Sequence, residues 1–450
     1  MLLEFIRAKG RSVNKSGDSK GHSLRPSWLW LVPVACVMEM AYLRIYALNN
    51  LKERVESLIF LSLLLGVLYF VSVFLSEKIS PRPALLGIIF GAGLIFRVTL
   101  LPLYPSLSDD PYRYRWEGKV QQAGFNPYQV HPSDPAVAFL RDETYPAVVG
   151  PDFPTFYGPL LEGLYWLSVL ASDHVIFLKL PFVLFDLGVV LLLFRLLPML
   201  GVSPARAIIY AWSPLTVVEF AASGHNDSLP VFAFVLALFW FEKGQQKRSL
   251  AALAASALSK LYAGFLLPVF LARTRWRLAW VPALVGAALF APYATAWQAF
   301  PRALGGYMRS FRNNDGLFYF IRQLTETNLA AWRIYLAIVA AAMVYCLVRK
   351  VPPARASFLI LGTVLLFGPN ISSWYLTWML PLLAIYPNPA LLLWTVTVFL
   401  YYHVLIPYQT LGLWQEQTVF KLLEYVPVYA LLLGSFLASR RTFWRNQKRA

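Results

Sequence analysis

Residues 84–118 read ALLGIIFGAGLIFRVTLLPLYPSLSDDPYRYRWEG, an apolar run broken only by Arg97 that passes within a few residues into a polar stretch opening on two carboxylates. A bilayer core takes about 20 apolar residues per helix, and Ala84 to Pro102 has that length. It reads as a membrane helix that hands the chain to a long polar loop. Working outward, apolar runs bounded by charges, Pro/Gly turns or polar clusters precede it at Trp28 to Leu48 and Leu58 to Leu75. Others follow it at Val175 to Leu197, Ala207 to Ser223, Leu229 to Phe241, Leu250 to Ala272 and Leu278 to Trp297. The last group is Ala331 to Val348, Ser357 to Pro369, Trp374 to Tyr386, Ala390 to Pro407 and Leu422 to Ala438. The expected fold is an all-α polytopic membrane protein, a bundle of about 12 to 14 transmembrane helices with a long first loop.

Composition agrees. The chain of 450 residues is 58% hydrophobic, 16% aromatic and 14% charged, against roughly 25% charged in soluble domains. This excludes a soluble globular enzyme. The net charge of +17 is concentrated at the ends, in Arg7, Lys9, Arg11, Lys15, Lys20 and Arg25 and in Arg440, Arg441, Arg445, Lys448 and Arg449. Cationic segments favour the cytoplasm, so both termini of this multi-pass protein of the inner or plasma membrane are expected there. The charge is then topological, and no nucleic-acid partner is expected. Cys36 and Cys346 lie in apolar runs and offer neither a disulfide framework nor a metal site. The first apolar run has full spanning length, so no cleaved secretory signal is expected.

With the start inside, three crossings place Tyr104 to Phe156 outside. The expected organisation is a basic arm over 1–27, transmembrane helices over 28–102, an extracytoplasmic catalytic loop with surface helices over 103–173, a bundle over 174–439 and a basic tail over 440–450. Tyr157 to Ala171 is short and carries Glu162; were it to cross, the turn from Arg195 to Arg206 would face outward. It is expected to lie along the surface. Leu250 to Ala272 is flanked by cations on both sides, which predicts a hairpin turning near Ser259 and Lys260. The polar positions 224–227, 298–328 and 370–373 then join the first loop on one face.

The chemistry gathers there. Asp109 and Asp110 stand at the membrane boundary, where burial raises a carboxylate pKa and a neighbouring Arg113 or Arg115 lowers it. Such a group can act as a base or bind a cation, although Asp-Asp-Pro is also a helix-start signal. In GHND, His225 and Asp227 fall at a helix end, where Asn226 or Asp227 can equally be a cap. Lys260 sits within an apolar run, where a charge is costly unless it is paired or faces a cavity; a phosphate, Asp186 or Glu219 would serve. Trp374, Tyr375 and Trp378 have the spacing of one helix face, and alone they would be a packing stripe. The Pro- and Tyr-rich loop suits a cover for a substrate with an apolar tail and a polar head. No P-loop, dinucleotide glycine pattern, HExxH or Cys cluster occurs.

Taken in order, DDPYRYRWEG with FNPY behind it, PTFYGPL, GHNDSLP, LSKLYAGFLLP, NNDGLFYF and SSWYLTWMLPLL resemble the membrane glycosyltransferases of the C superfamily. The resemblance is to the mannosyltransferase-like branch that uses polyprenyl-phosphate sugars. It implies the bundle of that superfamily and a site on the outer face, with Asp109 or Asp110 as the base. His225, Asn226 and Asp227 match the family's His-Asn-Asp element, and Lys260 matches its membrane lysine. The chain departs in having two helices before the one leading into the loop, and Glu117 where Asp is common.

The implied partners are a polyprenyl-phosphate sugar donor, mannose or another hexose, and a lipid-linked or glycan acceptor among membrane lipids. The donor carries an ionised leaving group, so the site needs one base and cations, here Arg97, Arg113, Arg115 and Lys260. Direct displacement inverts the anomeric centre. A retaining route needs a second close carboxylate, for which Asp227 and Glu117 remain open. No cofactor is required, and a divalent cation is compatible with the chemistry. The rival reading is a transporter or flippase of lipid-linked sugars, but transporters often show internal symmetry and no repeat is visible. A purely structural protein would leave Lys260, Asp186 and Glu219 unexplained.

Overall fold

The computed structural model describes residues 27–447 apart from 297, 299–301, 303–304 and 307–311. The basic arm up to residue 26 and the side chains of the basic tail lie outside the described residues. Among the described residues every element is helical, and the one β-type pairing is an isolated parallel bridge between Asn313 and Asn370. Among the described residues seven helices are long and apolar enough to cross a membrane: Leu51–Glu77, Pro83–Leu100, Val175–Met199, Trp276–Ala296, Asn328–Val348, Pro389–Leu411 and Thr418–Ala438.

The first three helices, α1 (Leu31–Ala47), α2 (Val55–Glu77) and α3 (Pro83–Leu100), pack together, α3 starting on Pro83 in its first turn. Then come α4 (Asp110–Gln122), α5 (Pro159–Ala171), α6 (Val175–Met199), α7 (Ser228–Glu242), α8 (Gln246–Ala257) and α9 (Leu267–Arg273). Helices shorter than a bilayer include α5, expected to lie along the surface, α7, expected to cross, and α8, expected as one arm of a hairpin. At 1.5 Å per residue α5, α7 and α8 span about 18 to 23 Å, against a hydrocarbon core of about 30 Å. The last helix, Thr418–Gln447, instead runs on through the segment expected as a separate tail.

Two expected crossings are broken in their middle. Ala207 to Ser223 forms short turns that part at Ser213–Pro214, where proline supplies no backbone N–H, and ends in a π-helical turn, Val217–Ala222. The stretch from Asn370 is extended, then a 3-10 helix at Ser373–Trp378, then a short α-helix at Leu380–Ile385. Irregular backbone at membrane depth is tolerated only where protein covers it or it lines a cavity, and residues 207–230 are all buried. The hairpin expected within Leu250 to Ala272 is seen as a break. α8 ends at Ala257, Lys260 is extended, and a 3-10 helix at Leu261–Leu266 leads into α9, with the arms packed on each other.

Arg97 of α3 is fully buried and pairs with Asp186 of α6. It also donates to Gly93 O at 2.9 Å, Ala211 O at 2.8 Å and Thr216 Oγ1 at 3.1 Å. It joins α3, α6 and the break before Pro214, and its donors are spent inside the bundle. Arg97→Met leaves Asp186 without its cation, and breaking such a pair costs about 3–5 kcal/mol. Thermal unfolding in detergent should show that loss, and the double replacement Arg97→Met with Asp186→Leu should recover most of it. An unshifted single variant would mean that Asp186 is held neutral.

Candidate functional site

α4 begins at Asp110 with Pro111 in its first turn, and Asp109 makes no side-chain capping hydrogen bond. The helix-cap reading therefore does not describe what the Asp109 carboxylate does. α4 lies along α5 through Gly118, where a Cβ would fall 2.4 Å from Val169 Cγ2 and 2.6 Å from Tyr165 O. Tyr114 stacks on Tyr165 with ring centroids 4.7 Å apart, and its hydroxyl donates to Asp110 Oδ2 at 3.4 Å.

The GHND loop closes on this helix start. Gly224 has φ of +77°, and a Cβ there would meet Lys179 Cγ at 2.6 Å and Pro111 Cγ at 3.4 Å. Only glycine allows the close approach that sets His225 and Asp227 beside Asp110. Asp227 is fully buried with both oxygens taken: Oδ2 lies 2.5 Å from Lys260 Nζ, and Oδ1 accepts from Trp378 Nε1 at 2.7 Å. The Lys260 side chain is 16% exposed, and its ammonium lies 5.4 Å from the Tyr375 ring centre. Tyr262 stacks on Trp378 at 3.8 Å. The His225 ring stacks on Trp374 at 3.8 Å, and Asn226 Nδ2 donates to Tyr165 OH at 2.5 Å. Trp374 and Tyr375 are half-buried at the edge of this cluster.

The two aspartates part company here. Burial pushes Asp110 above the usual carboxylate range; His225 and Lys260 pull it down, and Asp227 pushes it up. Asp109 is also raised by burial, but the cation that offsets it is Lys52, from the turn before α2. Asp110 belongs to the cluster of His225, Asp227 and Lys260, whereas the charges acting on Asp109 are Lys52 and Asp110 itself.

The structure does not bring the three arginines to this cluster. Arg97 is committed inside the bundle. Arg113 pairs with Glu117 and donates to Val149 O at 3.0 Å, Gly150 O at 2.8 Å and Phe153 O at 2.8 Å. Arg115 binds Asp142 at 2.8 Å, Asp173 at 2.5 Å and Thr144 Oγ1 at 2.9 Å. A guanidinium has five N–H donors, and here loop carbonyls and carboxylates occupy them. Arg113 and Arg115 clasp the loop to α4, and Glu117, buried in the Arg113 pair, belongs to that clasp. Of the partners expected for Lys260, Asp186 is held by Arg97 and Glu219 lies against His225; its protein partner is Asp227.

Several site residues were not singled out from sequence. Tyr114 had a signal, standing four residues after Asp110 on the same helix face. Trp378 was visible only as part of a stripe, because its grip on Asp227 crosses 151 positions of sequence. Glu219 as the neighbour of His225 had no signal. Among the described residues no group of three His, Cys, Asp or Glu side chains is gathered to hold a metal.

The cluster thus sets one half-buried carboxylate beside a lysine–aspartate pair and a histidine. Residues 36–275, just over half of the chain, match the family described as Alpha-(1->6)-mannopyranosyltransferase, N-terminal domain. The chain belongs to that family, and is a glycosyltransferase; the resemblance to the mannosyltransferase branch is borne out. No curated protein matches it significantly. Asp110, His225, Asp227 and Lys260 lie inside the matched stretch, whereas Trp374, Tyr375 and Trp378 lie beyond it.

Proposed function

We propose that this protein transfers mannose from a polyprenyl-phosphate donor to a lipid-linked or glycan acceptor on the extracytoplasmic face, forming an α-1,6 bond with inversion. The observation that carries the reading is the convergence of Asp110 with Lys260 and His225. Asp110 takes the proton of the acceptor hydroxyl as that oxygen bonds to the anomeric carbon. The bond from that carbon to the phosphate oxygen breaks, and its electron pair leaves with the polyprenyl phosphate. The leaving phosphate gains a negative charge, which Lys260 and His225 stabilise where it develops. An α product formed by inversion requires a β-linked donor. Asp227 has both oxygens engaged and Glu117 is clasped by Arg113, so neither serves here as a second nucleophile. No step draws on a cofactor.

In this reading the seven long helices, α1 and the short and broken segments together make the bundle of about 12 to 14 transmembrane elements. Both termini are cytoplasmic, in the inner or plasma membrane. Right-side-out vesicles given radiolabelled polyprenyl-phosphate mannose and an impermeant α-mannoside acceptor test chemistry and sidedness together. Transfer is expected to the external acceptor, with an α-1,6 bond in the product. Transfer from a nucleotide sugar but not from the lipid donor, or to an internal acceptor alone, would overturn the reading.

A further inference from the structure

We infer that Glu219 is a positioning residue that holds His225 so that its Nε2 receives the donor's phosphate. The inference rests on the proposed polyprenyl-phosphate donor and names the residue behind one of its contacts.

Glu219 is completely buried on the π-helical turn Val217–Ala222, and such turns recur at functional sites. A buried carboxylate ordinarily needs Lys or Arg, yet this one meets other groups. Its Oε2 lies 2.9 Å from His225 Nδ1, an ion-pair contact. Its Oε1 accepts from Tyr402 OH at 2.7 Å, and that hydroxyl accepts in turn from Ser373 Oγ at 3.1 Å. The Glu219 backbone carbonyl accepts from His225 N at 2.9 Å. Glu219 therefore holds the histidine through its backbone carbonyl and through the close approach of its carboxylate to Nδ1, a contact without hydrogen-bond alignment, while Trp374 covers the face of the ring.

What this grip leaves over is Nε2. Like Nδ1 it is fully buried and has no hydrogen-bond partner among the described residues, but unlike Nδ1 it has no carboxylate against it there. A buried polar atom without a partner is costly; Asp227 and Asn226 Nδ2 have theirs, whereas Asn226 Oδ1, like the histidine nitrogens, has no hydrogen bond among the described residues. An imidazolium donates from both ring nitrogens, so with Nδ1 against the carboxylate its Nε2–H is the donor left for an anion. The ligand this fits is a phosphate oxygen. The other charged groups of the cluster are Asp110 on α4, Asp227, and Lys260 from the break after α8. They place one more cation, and the base, around the same space.

Glu219→Gln keeps the size of the side chain and an oxygen for Tyr402 but removes the charge beside Nδ1. Binding of polyprenyl phosphate, without any sugar transfer, should weaken about tenfold. Both proteins share Asp110, Asp227 and Lys260, so the change isolates the contact of Glu219 with His225. Binding of polyprenol, which lacks the phosphate, should not change. Tyr402→Phe should move phosphate binding the same way by a smaller factor and guards against a Glu219 variant that fails to fold. Equal weakening toward polyprenol and polyprenyl phosphate, or unchanged binding of polyprenyl phosphate, would overturn the inference and leave the donor assignment standing. A parent protein that binds no polyprenyl phosphate would overturn the donor assignment itself.

Discussion

Asp110→Asn lowers mannosyl transfer at least 100-fold with donor binding retained, while Asp109→Asn keeps most of the activity. The expectation rests on what the amide cannot do: it matches the carboxylate in shape and still accepts from Tyr114, but it cannot take a proton. General-base catalysis contributes roughly 10²- to 10⁴-fold. The asymmetry rests on direction, since Asp110 shares its electrostatics with His225, Lys260 and Asp227, and Asp109 shares its own with Lys52. The base must be ionised, so activity falls as pH drops through the Asp110 pKa, which burial sets above the ordinary aspartate range. Lys260 pulls that pKa down. Replacing it therefore raises the pKa and moves the acid limb of kcat/KM to higher pH. Loss of transfer in Asp109→Asn with Asp110→Asn unaffected would reverse the assignment, and near-normal transfer in both would place the base elsewhere.

Why sequence could not choose between these aspartates is geometric. Adjacent residues at a helix start point roughly 100° apart, and which direction meets the cations depends on the GHND loop, more than a hundred residues away. The arginines show the same limit. By residue type Arg97, Arg113, Arg115 and Lys260 were equal candidates for phosphate. Apart from the i,i+4 pair of Arg113 with Glu117, their fates were decided by Asp186, by the carbonyls of residues 149–153, by Asp142 and Asp173, and by Asp227, all distant in sequence.

Membrane helices were legible wherever a long apolar run formed one continuous helix, as at Pro83–Leu100 and Val175–Met199. The broken segments were not, because hydropathy registers an apolar stretch whether or not its backbone is continuous, and the break at Ser213–Pro214 is wholly buried. The break at Ser259–Lys260 was legible because charge marked it: cations at both ends of one apolar run are incompatible with a single crossing. The spacing of Trp374 and Trp378 misled in a smaller way. They fall in a 3-10 segment, so they hold different partners, His225 and Asp227, where one helix face had been expected.

Lys260→Met should reduce kcat/KM for the donor by about 10² to 10³, as loss of a group that stabilises developing charge does elsewhere. It should also destabilise the protein. With the ammonium gone, Asp227 is a fully buried carboxylate supported by Trp378 alone, and stranding such a charge costs about 3–5 kcal/mol. Asp227→Asn acts differently. It frees a lysine that is partly exposed and can turn toward water or a phosphate, so the fold should lose less, while the ammonium is no longer fixed above Tyr375 and donor KM should rise. The double variant, Lys260→Met with Asp227→Asn, separates the two effects, because it removes the stranded charge and should recover most of the stability without recovering transfer. Thermal unfolding beside donor kinetics on the four proteins reads both. If activity returns together with stability in the double variant, Lys260 and Asp227 only hold the broken segments together, and the leaving phosphate is met by other groups.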